Sequence, residues 1–578
     1  MKKFPLILTC ITVLSLGAAC DSILDVEPHV ITSEGFYASK EDAQAGLFGV
    51  YGVLNSYQLY GEFYSMILSY TDDLCYFLNW SDTRPTYYYV HDPDADEIYQ
   101  VWTWLYKGIN NANSFMEAVQ NTDLDKDGDM LAQARFLRAY YHFLLAQTFG
   151  DVPLKTASTA SWEAVKTPAT SQYEVLSWVT SEMKEAIGHV SEDFDHAPSK
   201  VTKTAMEGIL ARVYLFLAGK SVSGGDKKLF YKNAMEQCEN VIKSGRHRLN
   251  PDYSAIFINY IEDKYDTEYR ESMWEVEFKG DRSSTEFWSN GRNGDINGLK
   301  TVGGDSDYSN YQSNWSWGLY GNTLKLWDLY MHDDRIMYEK NLGVVTDKRQ
   351  EWNIPPYNYA GYTESKTRLY PYGGDPADVR YLKAGHDKTP YYTGSIKNGD
   401  DTNKNPLCFP AGRNIGKFRR EVKYEGSKNF FADRTGINFP LLRYADVLLM
   451  YAEAVNGWQG APTEAAYNCV KAVRDRAGIS TDPFSVYADH DDFLKLIQNE
   501  RGRELCFEAI RKYDLIRWGL FISEMKAVGK SAYQDTRWGG QGADFLRISN
   551  RITPKHIFMP IPSMELAVNT ELKQNPLW

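Results

Sequence analysis

The residues best suited to do chemistry here are aromatic rings set among polar side chains. Trp80-Ser81-Asp82-Thr83-Arg84-Pro85-Thr86-Tyr87-Tyr88-Tyr89 places rings beside a carboxylate and a guanidinium in a turn-rich stretch. Flat rings flanked by hydrogen-bonding groups suit the C–H faces and hydroxyl edges of a neutral sugar. Trp80, Asp82, Arg84 and Tyr88 are the candidate contacts; in the competing reading the tyrosines form a half-buried strand. A second group runs from Phe287-Trp288-Ser289-Asn290 through Tyr308, Tyr311, Asn314, Trp315 and Trp317 to Tyr320, with polar spacers between the rings. Trp315 and Trp317 alternate, so an extended chain would turn both to one face. Trp288, Asn290, Tyr311, Trp315 and Trp317 are the candidates there, against the rival reading of a small aromatic core beneath loops. Trp352, Tyr357, Tyr359 and Tyr362 form a weaker third group, stiffened by Pro355-Pro356.

Other patterns suggest chemistry and then fail a requirement of it. Glu500 and Glu504 could pass for a glycosidase acid and base, but they stand one helical turn apart with Arg503, Arg511 and Arg517 close in sequence. A structural ion network linking the last helices is the favoured reading. Asp123-Leu124-Asp125-Lys126-Asp127-Gly128-Asp129 matches the first half of a calcium loop, yet position twelve is Ala134 where a bidentate glutamate belongs. An acidic turn is therefore preferred to a metal site. Ala218-Gly219-Lys220-Ser221 ends like a phosphate-binding loop, but Tyr214 stands where its first glycine should be. His142 lies beside an apolar helical face and reads as a hydrogen-bonded scaffold residue. Cys75, Cys238, Cys408, Cys469 and Cys506 form no CxxC pair, so neither zinc nor a disulfide framework is indicated. The expectation is a protein with no catalytic residue, metal or cofactor.

These side chains need a frame, and the pattern supplies a helical one. With 43% hydrophobic and 24% charged residues, the 578-residue chain has an ordinary globular composition. Leu137, Tyr140, Tyr141, Leu144, Leu145 and Thr148 fall on one helical face, as do Tyr444, Val447, Leu448, Tyr451, Ala452 and Val455. Small residues mixed with tyrosine on such faces suit close antiparallel helix pairs. The spacing predicts pairs 39–57 with 97–119, 130–149 with 171–189, 201–218 with 227–244 and 441–456 with 463–477, followed by 489–526. The fold class expected is mostly α, a scaffold like tetratricopeptide repeats. Between 274 and 433 the helical period gives way to Gly, Asn, Asp, Pro, Trp and Tyr, which predicts an irregular, loop-rich subdomain carrying short strands. A formal net charge of −13 repels polyanions and argues against nucleic acid as a ligand.

Met1-Lys2-Lys3, an apolar run from Phe4 to Leu16 and Gly17-Ala18-Ala19 before Cys20 have the layout of a signal peptide. Cys20 is then the lipid-carrying residue of the mature chain, held at a membrane by acyl chains rather than by a spanning helix. The organisation expected is a signal peptide at 1–19, a lipidated tether at 20–33, a helical part at 34–273, the loop-rich ligand-binding subdomain at 274–433 and a second helical part at 434–578.

Several ordered segments resemble the SusD/RagB family of Bacteroidota surface lipoproteins. They are Cys20-Asp21-Ser22-Ile23-Leu24-Asp25-Val26-Glu27-Pro28, then Ala134-Arg135-Phe136-Leu137-Arg138-Ala139-Tyr140-Tyr141 leading to Phe149-Gly150-Asp151-Val152-Pro153-Leu154, and Ile209-Leu210-Ala211-Arg212-Val213-Tyr214-Leu215. Leu442-Arg443-Tyr444-Ala445-Asp446, Glu500-Arg501-Gly502-Arg503-Glu504-Leu505, Arg511-Lys512-Tyr513-Asp514-Leu515-Ile516-Arg517-Trp518-Gly519, Pro560-Ile561-Pro562 and Gln574-Asn575-Pro576 complete the set. The resemblance implies a helical repeat scaffold, lipid anchoring at the outer membrane facing the exterior, and no catalytic activity. It also implies capture of oligo- or polysaccharide for a SusC-like TonB-dependent outer-membrane transporter. Peptide capture and, less favoured, surface glycoside hydrolysis are the alternatives.

Overall fold

A computed structural model describes residues 37–78, 85–161, 163–192, 197–279, 291–302, 316–331, 347–355, 359–360, 411–419, 435–487 and 489–578. The architecture is mostly α and like tetratricopeptide repeats, as the spacing predicts. Helix α1 (Lys40–Tyr51) packs on α2 (Asp96–Val119), α2 on α3 (Asp129–Phe149), α3 on α4 (Gln172–His189), and α5 (Lys203–Ala218) on α6 (Lys227–Lys243). The helix starts are written locally. Ser39 with Asp42 and Ser171 with Glu174 form capping boxes, and the Thr202, Asp226 and Thr463 side chains accept the first free N–H groups of their helices.

α3 and α5 are buried almost all the way round, which makes them the inner layer of the stack. Close packing between α2 and α3 depends on Gly108, where a Cβ would lie 2.6 Å from the Tyr141 ring. His142 is a scaffold residue, with Nδ1 2.9 Å from the Arg138 carbonyl and Nε2 accepting the Lys155 N–H. Burial brings its pKa down to about 3, so it stays neutral in neutral solution. The Asp123–Asp129 stretch is an acidic turn. Asp125 accepts the N–H groups of Met130 and Leu131, and Asp129 accepts that of Ser191.

Helix α7 (Tyr253–Glu262) ends this run of helices, and the strands are short. β1 (Cys75–Phe77) pairs antiparallel with β4 (Tyr320–Asn322), β2 (Ser272–Val276) antiparallel with β6 (Phe439–Arg443), and β3 (Thr301–Val302) parallel with β5 (Tyr359–Ala360). Helices α8 (Leu324–Met331) and α9 (Lys348–Asn353) lie between β4 and β5 in sequence. β6 runs straight into α10 (Tyr444–Gln459), which packs on α11 (Glu464–Arg476) and α12 (His490–Leu505).

The span 489–526 read as one helical run is broken. α12 stops at Leu505, α13 (Arg511–Arg517) follows, and α14 (Phe521–Gln534) comes next, ahead of α15 (Gly542–Arg551) and α16 (Ser563–Val568). Phe507 and Ala509 take φ of 65° and 58°, a left-handed backbone that costs energy in residues with side chains. The bend aims Glu508, between them, at the Arg443 guanidinium, with contacts of 2.7 and 2.9 Å, and at Lys417 Nζ at 2.6 Å.

Glu500 and Glu504 belong to a buried ion network. Arg349 donates to both, at 2.6 and 3.0 Å. Arg474 and Arg503 complete Glu500, while Arg443 and Arg476 complete Glu504 at 2.9 and 2.6 Å. Arg511 and Arg517 go elsewhere. Arg511 clamps Asp73 through two 2.8 Å bonds, and Arg517 pairs with Glu453 and Asp514. Arg501 joins Asp514 to Asp446, which also holds Arg212 at 2.6 Å.

Removing the Glu504 carboxylate would leave three buried guanidinium groups short of a partner. Glu504→Ala should therefore lose about 3–5 kcal/mol in equilibrium denaturation; a loss comparable to a surface substitution would contradict the network's role. Against the upward push of burial, Arg501 and Arg212 bring the Asp446 carboxyl down to about 2. A depressed carboxylate stabilises the fold above its unfolded pKa and ceases to do so as pH falls through the folded one. About 2 kcal/mol should thus be lost between roughly pH 4 and pH 2. Asp446→Asn should flatten that part of the stability curve, as measured by denaturation at a series of pH values.

Candidate functional site

The β1–β4 pairing joins two regions that are far apart in sequence. Phe77 stands opposite Tyr320, and the Leu78 N–H donates to the Leu319 carbonyl at 2.7 Å. Residues 79–84, with Trp80, Asp82 and Arg84, follow directly from Leu78. Residues 303–315, with Tyr311 and Trp315, lead directly into Ser316. Those candidates lie outside the described residues, as do Trp288, Asn290 and Cys20, but the points from which both aromatic segments spring are hydrogen-bonded neighbours.

Trp317 is the candidate that the structure exposes, at 36% of its surface. Its main chain is pinned on both sides. The Trp317 N–H donates to the Asp295 carbonyl at 2.7 Å, the Leu319 N–H to that of Ile296 at 2.8 Å, and the Ser316 hydroxyl to Asp295 O at 2.8 Å. Gly318 has φ +55°, and a Cβ there would lie 2.6 Å from the Lys300 main chain, so a side chain is excluded by both conformation and space. Asn414 donates to the Gly318 and Tyr320 carbonyls at 2.7 and 3.0 Å, tying in the 411–419 segment.

The 291–300 turn beneath Trp317 is anchored by charge. Arg292 pairs with Asp295 and reaches Glu62 at 3.2 Å and the Tyr57 hydroxyl at 3.4 Å, while its own N–H donates to the Gly61 carbonyl. Burial works against the charged guanidinium, yet Asp295 and Glu62 hold Arg292 protonated well beyond its ordinary range. Gly291 and Thr435 exchange main-chain bonds of 3.2 and 2.8 Å, so the segment containing Trp288 and Asn290 rejoins the described chain at the same knot. Asp295 and Glu62 are spent on this anchoring.

Tyr88 corrects the sequence reading. It is 1% exposed and packs edge-on against Phe77 at 5.9 Å, while Tyr87 lies 4.1 Å from the same ring and Tyr320 lies 5.3 Å from it. Burying these rings yields more than leaving them in water, so they form a closed aromatic cluster around Phe77, with no face for a ligand. Trp352 of the third group is buried as well, with the Arg419 guanidinium stacked 4.0 Å over it; Tyr357 and Tyr362, and the Tyr359 side chain, lie outside the described residues. Among the described residues no group of three or more His, Cys, Asp or Glu is placed to hold a metal ion.

Sequence reasoning missed the anchors Arg292, Asn297 and Asn414. Asn297 accepts the Gly294 N–H at 2.6 Å and donates to the Tyr70 hydroxyl at 3.1 Å. The Arg292-Asn293-Gly294-Asp295 turn composition was its only sequence signal.

What the fold defines is a helical scaffold that holds the ends of three aromatic-bearing segments at one knot. The SusD family model matches residues 270–578, and one described as "Starch-binding associating with outer membrane" matches residues 24–215. The chain belongs to the SusD family. It is 23% identical over 575 residues to the SusD-like protein P25 of Formosa agariphila, covering 96% of this chain and 95% of that one. A SusD homologue from Bacteroides thetaiotaomicron has the same fold, with a TM-score of 0.76 at 24% identity over 94% of this chain and 98% of that one. A laminarin-binding SusD-like protein gives 0.66 at 20% identity over 94% and 100%.

Tyr88→Ala should lose about 3–5 kcal/mol in denaturant titration, as a buried aromatic deletion does. Trp317→Ala should change stability by less than about 1 kcal/mol. The reverse order would contradict both placements.

Proposed function

We propose that this protein is a surface glycan-binding lipoprotein that captures oligo- or polysaccharide and passes it to a SusC-like TonB-dependent outer-membrane transporter. It binds without catalysis. The observation carrying this reading is the convergence at one knot of the ends of three aromatic-bearing segments, with Trp317 exposed where two of them meet. An indole fixed by its main chain gives a sugar face a flat surface at little entropic cost, because the platform is ordered before the ligand arrives. Trp80, Trp288, Trp315 and Trp317 are the proposed platforms, with Asp82, Arg84, Asn290 and Tyr311 as orienting polar groups. Tyr88 is left out because its ring is enclosed.

Family membership supports a binding role, and the likeness to a protein named for laminarin binding supports carbohydrate as the ligand class. The family description "associating with outer membrane" supports the location. No helix among the described residues is long and apolar enough to cross a membrane, which accords with a lipid on Cys20 as the attachment. The division into helical parts at 34–273 and 434–578 around a ligand-binding 274–433 belongs to the same proposal.

Isothermal titration of the mature chain with a panel of soluble glycans tests the assignment. Trp317→Ala should weaken binding by about tenfold, in keeping with the roughly 1–2 kcal/mol that a single stacking ring contributes. Replacing Trp80, Trp288, Trp315 and Trp317 together should remove binding at the knot; a titration indistinguishable from the wild type after all four changes would overturn the platform. Cys20→Ala should move the protein from the outer-membrane fraction to the soluble fraction.

A further inference from the structure

A groove of about 640 Å³ lies between α1, the start of α3 and β2. The exposed side of α1 forms one wall, where Lys40, Gln44, Leu47, Phe48 and Tyr51 follow one another at helical spacing. Phe48 stands at its rim with 68% of its surface in solvent, an unusual position for a phenylalanine on a helix whose other large apolar side chains are covered. Leu47, Leu54, Met130 and Val276 make an apolar floor.

Polar groups ring that floor. The Tyr51 hydroxyl donates to Gln133 Oε1 at 2.8 Å and accepts the Val201 N–H, which fixes its ring against the groove. Gln44 is exposed, and Lys200 reaches Asp129 Oδ2 at 3.3 Å across the opposite wall. The carboxylates of Asp127, Asp129 and Glu277 line the groove against the two cations Lys40 and Lys200, together with the buried Asp125 and Glu275, whose carboxyls burial pushes up. An anionic glycan would enter against that excess, while an uncharged one meets only hydrogen-bonding groups and apolar surface.

We infer that this groove is a second carbohydrate-binding site, in which Phe48 and Tyr51 stack on an uncharged oligosaccharide while the exposed Gln44 and the carboxylates of Asp127, Asp129 and Glu277 hydrogen-bond its hydroxyls. The cavity has the size of sites that take drug-sized ligands, which suits a short run of sugar units. Both sites on one chain would let it hold a polymer at two points, raising the effective concentration of one segment once the other is bound. The inference rests on the glycan-binding reading above for its ligand class, and on the groove's own residues for its place.

Titration calorimetry with soluble oligosaccharides of amylose, laminarin and galactomannan, and with polygalacturonate as the anionic probe, separates the two sites. The Phe48→Ala/Gln44→Ala chain changes exposed residues and should keep wild-type stability. It should lose one of two binding events for the neutral ligand that the wild type takes, while Trp317→Ala should weaken the other about tenfold. Polygalacturonate should show no groove-dependent heat. The groove assignment is overturned if Phe48→Ala/Gln44→Ala binds every neutral ligand as the wild type does, or if polygalacturonate binding depends on Phe48. If Trp317→Ala binds as the wild type while the double variant does not, the knot fails and the groove stands. A wild-type chain that binds none of the neutral oligosaccharides overturns both.

Discussion

The constraint on which the structure most depends is the burial of Glu504 among Arg349, Arg443 and Arg476. Each guanidinium comes from a different stretch of chain: the start of α9, the end of β6 and the last turn of α11. The left-handed bend at 507–509 extends the same cluster by sending Glu508 to Arg443 and Lys417. Burying so much charge is expensive, and an apolar core of equal volume could match it in stability. What charge adds is register, because each carboxylate accepts only from donors that arrive in one arrangement. Irregular segments with little helical or strand pairing of their own are thereby fixed onto the helices.

That arrangement divides the labour of the chain. The helices bury apolar faces against one another, and the ion network fixes the segments that carry Arg349, Lys417 and Arg443 onto them. Around Trp317 a second, smaller set of bonds, from Arg292, Asn297 and Asn414, fixes the ends of the aromatic segments. Segments whose ends are held this way can change in sequence without disturbing the frame.

Much of the helical frame was legible in the sequence because apolar residues at a 3.6 period leave little choice. The predicted 130–149 and 171–189 became Asp129–Phe149 and Gln172–His189, with the Ser171–Glu174 box marking the second start. The break in 489–526 was not legible, since Phe507 and Ala509 carry no glycine or proline signal and are held left-handed by tertiary contacts. Glu500 and Glu504 were readable as an ion network from their spacing, and Arg503 was legible as a neighbour of Glu500, but the other partners Arg349, Arg443, Arg474 and Arg476 lie up to 155 residues away, beyond any local pattern. Tyr88 was misread for a related reason. A tyrosine run beside a turn looks alike whether it faces a ligand or Phe77, and only the fold brings Phe77 and Tyr320 to it. Proximity of the two aromatic segments was likewise invisible until β1 met β4.

The central claim is the proposal that the segments whose ends meet at one knot bind glycan together. Hydrogen–deuterium exchange of the mature protein, with and without a neutral oligosaccharide that it binds, measures this directly. The account expects ligand-dependent protection in 79–84, 280–290 and 303–317 at once, and unchanged exchange through α12 and α13. Bound ligand that leaves all three of those segments unprotected would contradict it.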